Sequence, residues 1–199
     1  MPDMIKDGKG RGFSASVNSD KQLVTRSVGV DQRLASALDF HYYEATTGKV
    51  TLTDDNDTGI IYLKNENTTG KSIIIDRVFY DFWTSTGGTG EDGTLTYYLN
   101  PTGSAGTEIT PINTNFGSTL NAIGTFLAGD TATPVTFTGG TTWWTAYISD
   151  KISVELNEGR MVLPNGNSFG IKVAAPAGNT SMSIAVNVAF YYFDPKLIG

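Results

Sequence analysis

The run TSMSIAVNVAFYYF at 180–193 constrains the fold more than any other stretch of the chain. Met182, Ile184, Val186, Val188, Phe190 and Tyr192 alternate with Ser181, Ser183, Ala185, Asn187, Ala189 and Tyr191. Side chains on a strand point to alternate faces, so this spacing puts a large apolar set on one side and a small or polar set on the other. On a helix the same apolar residues would spread right around the cylinder. As a strand the run spans roughly 40 Å, about twice the usual length. A strand so long and apolar on one face belongs inside a sheet, paired on both sides. The rest of the chain must then supply the sandwich that covers it.

Composition agrees. The 199 residues are 39% hydrophobic and 11% aromatic, enough for a core, with 23 glycines and only 17% charged residues. Strand formers and turn formers are abundant and helix formers scarce. With no cysteine, disulfides and thiolate metal sites are excluded. No run approaches the ~18 apolar residues of a membrane span, and the N-terminus has no apolar signal region, so a soluble protein without a signal peptide is expected. Net charge is −6. An acidic body argues against nucleic acid, whose binding rests on neutralised phosphates. Residues 1–33 run the other way, with Lys6, Lys9, Arg11, Lys21, Arg26 and Arg33 giving a mildly basic leading segment that can dock on an acidic neighbour.

That segment is read as an extended arm over 1–33. DGKGRG keeps the backbone loose, and two alternating pieces, 13–17 and 23–28, flank the turn-forming NSDK, so a small hairpin is expected. Too polar to fold alone, the arm is expected to order on a partner. Residues 34–48 are read as a short helix or linker, since Leu34, Ala35, Leu38 and Tyr42 fall at helical spacing behind a capping Asp31. From residue 49 to 199 strands follow one another at 49–53, 59–66, 72–83, 94–100, 142–148, 151–158, 160–164, 168–175 and 180–193, with a Gly/Thr/Asn-rich insertion over 101–142 that holds short strands. Strands at this spacing without intervening helices indicate an all-β, antiparallel sandwich. Long strands far apart in sequence point to a jelly roll, where early and late strands pair, with an immunoglobulin-like sandwich as the alternative.

Motifs that carry chemistry elsewhere do not carry it here. Asp54–Gly59 places oxygens like a calcium loop, but the twelfth position is Asn65 where a bidentate Glu is required, so a hairpin turn is expected. Gly88–Gly93 satisfies G-x-G-x-x-G but precedes a strand and carries Glu91 and Asp92, which repel phosphate. His41 is the single histidine, next to Phe40 and Tyr42, and is read as a packed or interfacial residue. No metal site, cofactor or catalytic set is expected, and the chain is read as non-enzymatic. In Trp143–Trp144 and Tyr97–Tyr98, strand alternation sends one ring of each pair to the core and the other outward. Trp143, Trp144 and Tyr147 are thus candidates for a subunit interface or, alternatively, a sugar-stacking surface.

MIKDGKGRG at 4–12, ASVNSDKQL at 15–23 and TRSV at 25–28 resemble the leader of small structural proteins of tailed bacteriophages, in which an arm of this pattern precedes a β-rich body. GIIYLKN at 59–65 and IIID at 73–76 are similar to that group's body. The resemblance implies a virion component made in the bacterial host cytoplasm: a head decoration (cement) protein on the outer capsid surface. It also implies a homo-oligomer, a trimer being expected, bound to the major capsid protein, with no nucleic-acid or membrane partner. In that setting Phe13, Val17, Leu23 and Val28 pack on the shell and Arg11 and Arg26 pair with acidic groups. A tail, neck or fibre component that binds carbohydrate is the alternative.

Overall fold

The computed structural model describes residues 4–6, 14–16, 41–52, 57–84, 93–148, 154–156, 161–175 and 182–193. The chain divides into two compact units, Met1–Ala37 and Leu38–Gly199. In the first, β1 (Met4–Lys6) pairs antiparallel with β2 (Ser14–Ser16), Ile5 opposite Ala15. This pairing differs from the expected hairpin: β2 lies within the 13–17 piece but pairs with 4–6, and the 23–28 piece and the NSDK turn lie outside the described residues.

The second unit is an all-β sandwich of antiparallel sheets, as the sequence indicated. Its strands are β3 (Tyr42–Leu52), β4 (Thr58–Asn65), β5 (Ser72–Thr84), β6 (Gly93–Leu99), β7 (Thr102–Ala105), β8 (Thr107–Glu108), β9 (Ile112–Asn113), β10 (Gly124–Ala128), β11 (Val135–Thr138), β12 (Thr141–Ile148), β13 (Val154–Leu156), β14 (Met161–Leu163), β15 (Ser168–Ala174) and β16 (Met182–Phe193). One sheet runs β12-β6-β15-β4-β10-β8, the other β13-β5-β16-β3-β9, with β14 also on β5. Early and late strands pair throughout: β3 with β16, β4 with β15, β5 with β13 and β14, and β6 with β12. The topology is that of one long hairpin, 3-4-5-6 out and 12-to-16 back, folded over so that its pairs alternate between the two sheets.

β16 sits between β5 and β3, where its pattern required it. Met182, Ile184, Val186, Val188 and Phe190 are completely buried. From the facing sheet come Ile61, Leu63, Leu95, Tyr97, Phe169, Ile171 and Val173, all buried as well. Phe126 of β10 stacks on Phe190 of β16 at 5.4 Å, so the two sheets interlock through aromatic rings. Full burial of one such side chain stabilises by about 2–3 kcal/mol relative to exposure.

Two bulges set which residues reach this core. In β5 the register against β16 shifts at Asp76: Ile75 opposes Phe190 while Arg77 opposes Ala189. The extra residue swaps parity, so Ile73 and Ile75 face in before it and Val78, Tyr80 and Phe82 after it. In β3 the bulge falls at Thr47–Gly48, between Thr46 opposite Asn187 and Lys49 opposite Ala185. Gly48 has φ of +66°, a backbone state that suits glycine, and Thr47 Oγ1 accepts the Val186 amide at 3.0 Å in place of a ladder bond. Tyr43 and Ala45 are buried before this bulge, Val50 and Leu52 after it. β3 therefore begins at Tyr42, and 42–48 belongs to the sandwich; the helical spacing ending at Tyr42 does not extend into it, and residues 31–40 lie outside the described residues.

The 101–142 insertion builds short strands, as expected. β8 and β10 extend the first sheet beyond β4, and β9 pairs with β3 at the edge of the second. β7 and β11 form a separate ribbon on the outer face of the first sheet. There Phe137 lies over Tyr62 and Tyr98, with ring centroids 6.2 and 5.7 Å away, and Lys172 lies 5.3 Å above the Tyr98 ring. Lys172 is anchored from the other side by Asp57 at 3.1 Å.

Candidate interaction surfaces

Three sets of residues bear on what this molecule touches. The first is the arm. Arg11, Phe13, Val17, Leu23, Arg26 and Val28 all lie outside the described residues, as do the calcium-like positions 54–56 and the glycine-rich loop at 85–92.

The second is the aromatic edge on β12, which pairs only with β6 among the described residues and so ends the first sheet. Tyr97 and Tyr98 divide as strand alternation demands: Tyr97 is fully buried and Tyr98 lies on the outer face under Phe137. The tryptophans do not divide. The register of β12 shifts between Thr142 and Trp144, which makes Trp143 the bulged residue, and a bulge brings two neighbouring side chains toward the same face. Trp144 opposes Tyr97 with ring centroids at 5.2 Å, and Trp143 meets the same ring edge-on at 6.3 Å. Neither is core: Trp143 is 45% and Trp144 36% exposed. The two rings form a half-open cover over Tyr97 rather than one buried and one outward ring. Tyr147 opposes Thr94 on the other face and is 76% exposed. The three candidates thus share one edge strand but not one plane.

Beneath that cover, Tyr97 Oη is buried without a hydrogen-bond partner among the described residues. Burial holds its phenol above the ordinary tyrosine range. The contrast is Tyr42, whose hydroxyl donates to Asp76 Oδ2 at 2.6 Å beside Arg77; burial and that carboxylate raise its phenol too. Tyr42 also stacks on Tyr191. The outer face of the second sheet then continues with Asn187 donating to Glu44 at 3.3 Å, and Lys49 set 5.6 Å over Trp83.

The third surface was not legible beforehand. Between β9 and β10 the chain makes a turn that presents Phe116, 92% exposed, with Leu120 and Ile123 also open to solvent. The turn is ordered by its own polar groups: Ser118 N donates to Asn115 O at 2.8 Å, and Leu120 N to Ser118 Oγ at 3.1 Å. A phenyl group held out on a fixed turn is apolar surface that an isolated molecule gains nothing by exposing. In sequence this residue was one of several scattered apolar letters in a Thr/Asn-rich insertion, with no period to single it out.

Among the described residues no three His, Asp or Glu side chains come together in a metal-binding group, and no helix is long and apolar enough to cross a membrane. His41, at the foot of β3, packs beside Tyr43 and meets Asn113 at 3.0 Å. No protein-family model matches the chain, and no curated protein is significantly similar to it.

Proposed function

We propose that this is a non-enzymatic virion structural protein: a capsid decoration protein of a tailed bacteriophage that binds the outside of the head and stabilises it. The observation that carries the reading is the order of pairs, β3 with β16, β4 with β15, β5 with β14 and β6 with β12, which we read as the eight strands of a jelly roll, an architecture used in viral shells. The resemblance of residues 4–28 to phage leader segments supports it from the other end of the chain. A cement protein needs a rigid body and an arm that adds contacts across subunit boundaries. Strands of such an arm can add to a neighbour's sheet edge, gaining backbone hydrogen bonds. Exposed rings at Trp143, Trp144, Tyr147 and Phe116 fit a closed homo-oligomer, a trimer on this reading, in which symmetry buries the same patch in every copy.

The test is sedimentation of the full chain alone and with undecorated phage heads. Saturable co-sedimentation at a stoichiometry set by the capsid lattice is expected, and a chain lacking residues 1–33 stays folded but no longer binds. Full binding by the truncated chain removes the arm's role; no binding by the intact chain removes the capsid reading. The exposed tryptophans favour a second reading, a tail or fibre module that binds carbohydrate. Saturable quenching of tryptophan fluorescence across a glycan panel is its signature.

A further inference from the structure

A cavity of about 150 Å³ opens beside the foot of β3, walled by the rings of Tyr43 and Tyr192, by Leu120 and Ile123, by the amides of Asn67 and Asn121, and by two basic side chains, His41 and Lys71. The protonation pattern of His41 follows from its neighbour. Asn113 Oδ1 accepts the Asn115 amide at 2.9 Å, and Asn113 Nδ2 donates to Leu120 O at 3.0 Å. Those two bonds lock the amide, so the atom facing His41 Nδ1 at 3.0 Å is Nδ2, which has only protons to offer. Nδ1 is therefore the acceptor, and the ring proton sits on Nε2. Yet Nε2 is buried with no partner among the described residues. A buried N–H that lacks an acceptor is costly, and such exceptions call for a reason. Lys71, on the same wall, appears in none of the described ion pairs.

We propose that this cavity binds a small carboxylate. One oxygen accepts from His41 Nε2–H, the Lys71 ammonium meets the charge, and a short hydrocarbon stub lies between Tyr43 and Tyr192. A volume of about 150 Å³ is that of a cavity known to take benzene, so an acid of about six heavy atoms fills it. Larger phosphorylated ligands do not fit, and the aromatic and aliphatic walls give a bare inorganic anion nothing to pack on. Nε2 has no exposed surface in the ligand-free molecule, so on this proposal the half-exposed wall residues Leu120 and Ile123 move aside as the oxygen reaches it. The carboxylate is either a free short-chain acid or the glutamate side chain of another polypeptide, which present the same head and stub. The proposal is independent of the virion reading.

His41 is the only histidine in the chain, so its ring nitrogens give unambiguous NMR signals in the full-length protein. Two arms separate the sources: sodium butyrate, and a capped pentapeptide with a central glutamate. Controls are sodium chloride at equal ionic strength, butyramide, and the glutamine peptide. The expected result is a free protein protonated at Nε2 whose Nε2–H signal shifts saturably with butyrate or the glutamate peptide. Lys71→Gln should weaken that binding about tenfold or more while leaving the ligand-free spectrum of His41 unchanged. A response to butyrate with none to the peptide assigns a free acid, because the peptide backbone then bars entry, whereas a response to the peptide, with or without butyrate, assigns a partner's glutamate side chain, which butyrate mimics. An Nδ1-protonated ring, equal shifts with chloride or butyramide, or no response in either arm overturns the proposal.

Discussion

Phe137 rests directly on Gly170: a β carbon placed on the glycine would stand 2.6 Å from the phenyl ring. Gly170 lies on β15 between Tyr62 and Tyr98, and its missing side chain is the slot into which the β7–β11 ribbon docks. Gly170→Ala should cost about 1–3 kcal/mol by overpacking and lift the ribbon off the sheet. In a Phe137→Ala background the same change should cost much less, because the obstruction is gone. Urea unfolding of the two single variants and the double variant gives the coupling directly. Additive effects would show that the ribbon does not depend on this contact.

Asn65 ends β4, fully buried, and does three jobs at once. Its Nδ2 donates to Lys71 O at 2.9 Å and to Leu163 O at 2.8 Å, and its Oδ1 accepts the Asn67 amide at 3.0 Å. It thus ties the β4–β5 turn to β14. Asn65→Ala leaves two carbonyls and one amide unpaired and should destabilise by about 2–4 kcal/mol. Asn65→Asp should be worse near neutral pH, since a carboxylate oxygen would face two carbonyls. Equal melting temperatures for the aspartate and alanine variants would contradict this account.

The same residue shows what could be read in advance. Asn65 stands at the position that argued against a calcium loop, but nothing in its neighbours reveals that its side chain reaches the Leu163 carbonyl, ninety-eight residues away in sequence. β16 could be read outright, because its parity never breaks on the core face. β3 could not: Tyr43 and Ala45 face in before Gly48, Val50 and Leu52 after it, so a period-two reading sees only the second half. The tryptophan pair misled for the same reason. Alternation assumes an unbulged strand, and β12 has its extra residue at Trp143. The His41 cavity arises from contacts between segments distant in sequence, and the Phe116 turn from local bonds among Asn115, Ser118 and Leu120; neither carries an apolar period.

Tyr97 offers a clean test of burial through pH. Its hydroxyl has no partner among the described residues, so Tyr97→Phe should leave stability at neutral pH unchanged or raise it by about 1 kcal/mol. Burial raises the phenol above its unfolded value of 10.0. The unfolded chain therefore releases this proton first as pH rises. The stabilisation is fully present below about pH 10 and declines above it, by up to about 1.4 kcal/mol per pH unit for one such group. In the phenylalanine variant that share of the alkaline loss should vanish, leaving the part due to Tyr42, Tyr43, Tyr80 and Tyr192, whose phenols burial also raises. Denaturant titrations from about pH 8 to 11 would show parallel wild-type and variant profiles if Tyr97 were in fact solvated.

The β12 edge can be divided into packing and surface. Trp144 covers Tyr97 at 5.2 Å and is only 36% exposed, so Trp144→Ala should remove cover from the core and cost about 2 kcal/mol, less than a fully buried tryptophan. Tyr147 faces away from that core and is 76% exposed, so Tyr147→Ser should change monomer stability by no more than about 0.5 kcal/mol. If this strand joins copies of the chain, the serine variant should still lower the sedimenting mass, because the lost ring is interface and not core. A Tyr147→Ser protein with both stability and mass unchanged would move the association surface elsewhere, and Phe116, held out on its hydrogen-bonded turn, is the next residue to replace. Separating the two readouts matters because Trp144→Ala alone would perturb assembly through the fold and so could not identify an interface.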